Sequence, residues 1–485
     1  MDTISHDLLS GLRLDPIMGA KYKALARAIR QAIAEGRLSP GDKLPPVREA
    51  AWTLGITPGT VARAYTLLTV EAVLNAAVGR GTFVADRPAD SPAQDSPAQD
   101  GPAQGRMRNI DWQRRSPPEN TDQVSLFSTR LPDMGQVAMI HAGFAALAQR
   151  PMADLLNYPS RTAFEPARRA VLRWLEGTDL GPIDEGDMVL SHGGQSGVSL
   201  VMQAVLRGQR PVVLVEELSY PGFRRAAHLL RADVIGVPMD AQGIVPDALE
   251  ELVLRLDAQL LCTSPEVHNP TGIFTPLERR RAIAQVAERT GLQILEDDCY
   301  RMGRARTQSY RAILPGQGWY VSSISKTLTP ALRIGFAVAP KGQQSALRRT
   351  AEHGFFGLAR PLADLTEDLL DRPETETIMQ RVQAELTAYI GSAAEILAGY
   401  DLVHRDDMPF LWLRLPTGWR SGAFCQAAEA RGVQVRAADE FALRDGRAPH
   451  AVRIGINAQV TRASFDAAIR RLRDLLDNPP EAISV

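Results

Sequence analysis

Residues 322–336 read SSISKTLTPALRIGF, and the meaning of this stretch decides the fold. Lys326 follows a strand-like run, with the hydroxyls of Ser323 and Ser325 three residues and one residue before it and Arg333 seven residues after it. The pattern suits a lysine that condenses with an aldehyde beside a phosphate site: the amine is the nucleophile, and two hydroxyls and a guanidinium can hold a dianionic phosphate. An isolated Ser-Lys pair more often marks a solvated surface lysine, so the reading depends on what the rest of the chain supplies.

Working outward, PVVLVEE, QLLCTSP, LQILEDD and WYVSSIS are short β-rich runs, each separated from the next by enough chain for a helix. That alternation predicts an α/β fold, a mainly parallel sheet with helices on both faces. Further on, FLWLRLP, SGAFCQAAEARG and AVRIGIN read as strand, helix and strand of a smaller C-terminal α/β subdomain.

Other segments provide partners for Lys326. LSHGGQSGV (190–198) ends a strand in a glycine-rich turn that enters a helix, so Gly194 and Gln195 can present backbone N–H groups to the same phosphate. It fails as a serine-hydrolase elbow, which would need glycine at Val198. HNPTG (268–272) is a turn whose Asn269 can donate to a cofactor's ring oxygen, although most Asn-Pro pairs merely turn the chain. LEDDCY (295–300) lies at a strand's carboxyl end, where open α/β sheets place ligands. A carboxylate there can keep a pyridine nitrogen protonated; Asp297 is the choice, Asp298 the alternative, with Tyr300 directed at the ring oxygen or the phosphate. Tyr220, in SYPGF, can stack on the ring. In AVRIGIN, alternation turns Arg453 away from Val452, Ile454 and Ile456, free to grip an anion.

The N-terminal part has a different character. Within residues 21–83, nine basic side chains (Lys21, Lys23, Arg27, Arg30, Arg37, Lys43, Arg48, Arg63, Arg80) face four acids (Glu35, Asp42, Glu49, Glu71). This surplus of five is hidden in the whole-chain balance of 55 Lys+Arg against 56 Asp+Glu, and it fits a module that contacts phosphates. KYKALARAIRQAIAEG spaces Leu25, Ile29 and Ile33 along one helical stripe that stops at Gly36. PPVREAAWTLG and TPGTVARAYTLLTVEAVL follow as two helices joined by a tight turn at Gly55-Ile56, with Thr57 as cap and Pro58 at the first position of the second. VGRGTFVAD then reads as a hairpin with Arg80 at its tip, a wing.

Between the halves, SPAQD occurs twice in ADRPADSPAQDSPAQDGPAQG (85–105), followed by a truncated third copy. Without an apolar face to bury, such a segment predicts a solvated linker, over 85–119. Cys262, Cys299 and Cys425 are too few and too widely spaced for a disulfide framework or a zinc site, and a reducing cytoplasm is the expected compartment. No basic leader and no run near about 18 apolar residues suggests export or a membrane.

Residues 25–85 resemble the winged helix-turn-helix of the GntR superfamily. The resemblance implies that the second of the paired helices enters the major groove of double-stranded DNA, with Arg48, Thr57, Thr60, Arg63 and Arg80 touching it. Pro58 and Gly59 stand where that family usually shows polar or basic residues. Residues 120–485 resemble a fold-type I, pyridoxal 5'-phosphate (PLP)-dependent aminotransferase domain. That likeness implies an imine on Lys326, Asp297 at the pyridine nitrogen, Asn269 and Tyr300 at the ring oxygen, Tyr220 stacked, and Arg453 clamping a substrate carboxylate. The order, head (1–84), linker (85–119) and body (120–485), resembles the MocR subgroup. It implies a cytoplasmic homodimer with exchanged heads, a transcription regulator and not an enzyme, which senses a small amine or amino acid with a carboxylate or sulfonate when that amine displaces Lys326. The alternative is a working aminotransferase with an incidental head.

Overall fold

The computed structural model describes residues 21–39, 41–54, 56–70, 73–77, 81–85, 123–150, 156–443 and 446–479. The chain divides into two units between Asp111 and Trp112. Apart from Ala85, the expected linker lies outside the described residues, as do Gly55 of the expected turn and Arg80 at the expected wing tip.

In the first unit, helices α1 (Lys21–Ala34), α2 (Val47–Thr53) and α3 (Pro58–Val70) surround a small core. Leu25 and Ile29 of α1 are fully buried against Val61, Ala64 and Leu68 of α3, while Ile33 is partly buried at the end of the same stripe. Burial of each large aliphatic side chain stabilises this unit by about 1.5–3 kcal/mol relative to leaving it exposed. Gly36, at φ +72°, turns the chain out of α1, and Arg37 returns its N–H to Ala32 O. Strands β1 (Lys43–Leu44), β2 (Leu74–Ala77) and β3 (Gly81–Val84) form an antiparallel sheet in the order β1-β3-β2. The α2–α3 pair followed by the β2–β3 hairpin is a winged helix-turn-helix.

In the second unit, seven strands, β4 (Met188–Ser191), β5 (Val212–Glu216), β6 (Asp233–Val237), β7 (Leu260–Thr263), β8 (Gln293–Asp297), β9 (Gly318–Ser323) and β10 (Gly335–Val338), form one sheet in the order β4-β10-β9-β8-β7-β5-β6. Every strand runs parallel except β10, which is antiparallel to both neighbours. The chain between β9 and β10 is too short for a covering crossover helix, so it must turn back. Side chains alternate between two cores: Val213, Val215, Leu260, Cys262 and Leu295 enter one, and Leu214, Leu261 and Ile294 enter the other. Because both faces are buried, the strands read as near-continuous apolar runs.

Helix α4 (Gly194–Val205) follows β4, and α5 (Pro221–Leu229) follows β5. On the opposite face lies α6 (Leu277–Thr290). The smaller subdomain has strands β11 (Leu402–Val403), β12 (Phe410–Arg414), β13 (Arg436–Ala437) and β14 (Ala451–Gly455), antiparallel in the order β11-β12-β14-β13. Among the described residues no helix is long and apolar enough to cross a membrane.

Candidate cofactor and effector site

The parallel strands end on one edge of the sheet, and their last residues, Ser191, Glu216, Thr263, Asp297 and Ser323, all lie there. Chain leaving β4 turns at Gly193 (φ +79°) directly into α4, whose first N–H groups have no partner inside the helix. A Cβ on Gly193 would come within 2.6 Å of Arg333 Nη2, so the guanidinium of Arg333 lies against this turn. A side chain on Gly194 would collide with Cys299 Sγ. The glycines thus leave a cup bounded by Arg333, Cys299 and the start of α4. The Ser325 hydroxyl is buried and has no hydrogen-bond partner among the described residues. Gln195 donates from Nε2 to Gly222 O (3.0 Å), which ties the cup to the segment that carries Tyr220.

The two adjacent acids of LEDDCY separate according to strand alternation. Asp298 accepts from Arg301 Nε (2.7 Å) and Tyr320 Oη (2.6 Å), and is thereby committed to internal partners. Asp297 accepts the Cys299 N–H (3.0 Å) and the Cys299 thiol, and pairs with no cation among the described residues. Burial pushes its carboxyl up to about 6. Tyr220 stands at the N-cap position of α5 without a side-chain cap bond and lies near enough to Asp297 and Tyr300 that, after burial, their charges help raise its phenol.

The turn that carries Asn269 is held rigidly. His268, fully buried, donates from Nε2 to Leu218 O (2.9 Å) and accepts the Thr271 hydroxyl at Nδ1 (2.6 Å), with burial lowering its pKa to about 4. The neutral ring is therefore a fixed strut. Asn269 accepts from Arg453 Nη1 at Oδ1 (2.7 Å), while its Nδ2 is buried without a partner.

Here the expectation of a free fork on Arg453 is corrected. Arg453 is 3% exposed, its Nη2 donates to Phe127 O (3.1 Å), and only Nε has no partner. Its partners, Asn269, Phe127 O and the Tyr300 phenol, include no carboxylate, so the buried cation has no carboxylate counter-ion among the described residues. Such a group is costly unless an anion joins it. Tyr300 lies between the two cations: Lys326 Nζ is 5.3 Å and Arg453 Cζ 5.8 Å from its ring centroid. Burial pushes the phenol up, but the Lys326 and Arg453 charges outweigh it and hold Tyr300 below its ordinary value.

Of the residues singled out for this site, Lys326, Asp297, Asn269, Tyr300, Tyr220, Gly194, Gln195, Ser323, Ser325, Arg333 and Arg453 all fall on this edge of the body. Three contributors had no sequence signal of comparable strength. Phe127 acts through its main-chain oxygen, Arg436 is visible only as a polar break in VQVRAAD, and Cys299 is marked in the sequence only as one of three widely spaced cysteines. In the head, Thr57 Oγ1 accepts the Thr60 N–H (3.4 Å) and caps α3, and the exposed Arg63 guanidinium lies 4.9 Å from the Tyr22 ring centroid. The side chain of Arg48 lies outside the described residues.

A glycine cup at a helix start, a strand-edge acid, a lysine beyond the next strand and a winged helix-turn-helix ahead of them define a fold-type I aminotransferase-like body behind a DNA-reader head. Comparison with known proteins agrees. The model "Aminotransferase class I and II" matches residues 121–472, and the model "Bacterial regulatory proteins, gntR family" matches 21–84. The chain belongs to the aminotransferase class I and II family, in the MocR-type architecture that fuses such a domain to a GntR head. It is 25% identical over 466 residues to the uncharacterized HTH-type transcriptional regulator YdeF of Bacillus subtilis (strain 168), covering 94% of each chain. It is 30% identical over 354 residues to the HTH-type transcriptional regulator TauR of Rhodobacter capsulatus, covering 68% of this chain and 70% of TauR. The crystal structure of Pyrococcus horikoshii kynurenine aminotransferase superposes with a TM-score of 0.66 at 21% identity, over 75% of this chain and 93% of that one, which shows the shared fold. The fold implies dependence on PLP.

Proposed function

We propose that this protein is a transcription regulator whose aminotransferase-like body binds PLP at Lys326 and senses a small amine or amino acid, the signal passing to a head that grips operator DNA. The observation that carries this reading is the meeting of Lys326, the partnerless Nδ2 of Asn269 and the uncompensated Arg453 around Tyr300, in a chain that begins with a winged helix-turn-helix.

The residues fit the cofactor. Two buried polar atoms that lack partners among the described residues, Asn269 Nδ2 and Ser325 Oγ, support donors to a ring oxygen and a phosphate, and the side-chain-free Gly193 and Gly194 support room for the phosphate. PLP, when bound, supplies an aldehyde that exchanges amines and a ring that withdraws electrons. Ser323, Ser325, Arg333 and the first N–H groups of α4 hold its phosphate. Asp297 keeps the ring nitrogen protonated, Tyr220 covers the ring, and Asn269 and Tyr300 donate to the ring oxygen. Arg453 would take the acid of the effector, whose amine would compete with that of Lys326 for the aldehyde the cofactor supplies. A regulatory response then requires that the effector bind one arrangement of the protein better than another.

Borohydride reduction of the PLP-loaded protein, followed by peptide mass mapping, tests the attachment: the label is expected on Lys326, and a label elsewhere refutes the assignment. The second reading, a working aminotransferase, is favoured by the complete set of catalytic side chains. Steady turnover of an amino acid with 2-oxoglutarate, with no specific DNA binding, would select it.

Two expectations follow for solution. Arg63→Ala and Arg48→Ala should each weaken operator binding roughly tenfold, the loss expected for one charge-assisted contact to base or phosphate. Gel-shift titration at physiological salt reads this, and unchanged affinity would remove those residues from the interface. The second concerns pH. Asp297, raised to about 6, is a carboxylate above that value and neutral below it, and only the carboxylate pairs with a protonated ring nitrogen. PLP affinity should therefore fall as pH drops from 7 to 5, approaching about tenfold per pH unit below the pKa. Glu216, buried and raised to about 7, titrates nearby, so the fall should persist in Glu216→Gln and vanish in Asp297→Asn.

A further inference from the structure

Arg453 does not act alone at the effector end of the site. Arg436 on β13 is its direct register partner across the β13–β14 pair. Both guanidinium groups donate to the same oxygen, Phe127 O: Arg436 Nε at 3.0 Å and Arg453 Nη2 at 3.1 Å. The Arg436 Cζ also lies 4.0 Å from the centroid of the Phe127 ring. Two like charges that share one neutral acceptor repel, and the repulsion is relieved by anions. The only acid beside them among the described residues is Glu440, which is 38% exposed and bonds Arg436 Nη1 at 3.3 Å. Arg225, exposed on α5 five residues beyond Tyr220, adds a third positive charge within electrostatic range of both Tyr220 and Arg436 and pairs with no carboxylate among the described residues. The cations thus form a graded series, from Arg453 in the interior through the half-buried Arg436 to Arg225 at the surface.

We infer that the effector carries two acidic groups, one held by Arg453 and the other by Arg436 at the rim, so that the sensed class is amino dicarboxylic acids and not simple amino acids. The inference rests on the assignment of Lys326 and Arg453 made above and deepens it. A monocarboxylate would neutralise Arg453 and leave Arg436 facing it with only a solvated glutamate. A dicarboxylate satisfies both, each through a charge-assisted hydrogen bond.

The test uses the full-length PLP-loaded protein and calorimetry with two probes that lack an amine, glutarate and butyrate, so that no exchange at Lys326 is involved. Glutarate is expected to bind at least about tenfold more tightly than butyrate. Arg436→Gln should reduce glutarate affinity to that of butyrate, Arg436→Lys should retain part of the preference, and Arg453→Gln should weaken both. A parallel absorbance titration with L-glutamate and L-norvaline should show the same order. Equal affinity for glutarate and butyrate overturns the inference, as does a preference that survives in an Arg436→Gln protein whose melting profile is intact. If borohydride fails to label Lys326 while the glutarate preference persists, the imine attachment falls and the two-arginine site stands.

Discussion

Lys326→Ala is expected to abolish both the near-visible absorbance of the PLP-loaded protein and every effector-dependent change in DNA affinity, while basal operator binding by the head survives. The reason is chemical. Only a primary amine forms the covalent link, and the chain has just five lysines in 485 residues: Lys21, Lys23, Lys43, Lys326 and Lys341. Three belong to the head, and Lys341 is exposed beyond β10, outside the cup formed by Gly193, Gly194 and Arg333. Within the body, Lys326 is therefore the one amine at the sheet edge among the described residues. The variant loses the imine and keeps the phosphate cup, so PLP should still bind weakly and without the shifted band. Spectra and gel shifts on one preparation, with and without added amine, read both effects. An effector response that persists in Lys326→Ala would remove amine exchange from the mechanism.

Arg280→Ala is expected to be the most destabilising single change in the body, by about 3–5 kcal/mol, because it leaves two buried carboxylates unpaired. Arg280, on α6, is fully buried; Nη2 donates to Glu266 (2.7 Å), Nη1 to Glu296 (3.3 Å) and to Gln308 O (3.0 Å), and Nε to Thr275 O (2.9 Å). Glu266 lies just before the turn of His268 and Asn269, and Glu296 immediately before Asp297. One guanidinium thus clamps, from behind the sheet edge, the two segments that present Asn269 and Asp297. Burial raises both acids, Glu296 to about 7. A raised carboxyl binds its proton more tightly in the folded state, so its contribution to stability is present at low pH and is lost as pH rises from about 4.5 through about 7. Removing the cation raises these acids further. The deficit of Arg280→Ala in urea unfolding should therefore be larger at pH 8 than at pH 6. Replacing the whole cluster, Arg280→Met with Glu266→Gln and Glu296→Gln, should recover much of it. A single variant as stable as the native protein would show that the clamp contributes nothing net.

Legibility differed sharply among the site residues. Lys326, Asn269 and Tyr220 stood out because each is a reactive or polar group in a short motif whose neighbours set its local geometry. Which of Asp297 and Asp298 pairs with no cation was not readable locally. It depends on Tyr320, 22 residues on in the adjacent strand, and on Arg301, which together occupy Asp298. The fork of Arg453 read as free because strand alternation gives direction but not contacts. Its acceptors, Asn269 and Phe127, are 184 and 326 residues away in the chain.

By itself, the amino-acid sequence determined the division into a basic winged head and an α/β body, the mainly parallel sheet, and the chemistry available at Lys326. These follow from periodicity, turn residues and reactive groups, which act over a few residues. Tertiary structure alone decided which acid pairs with no cation and that the buried Arg453 meets no carboxylate, both among the described residues, and that Arg436 shares an oxygen with Arg453. Each of those is a matter of distance and burial between segments far apart in the chain, and only folding brings them within hydrogen-bonding range.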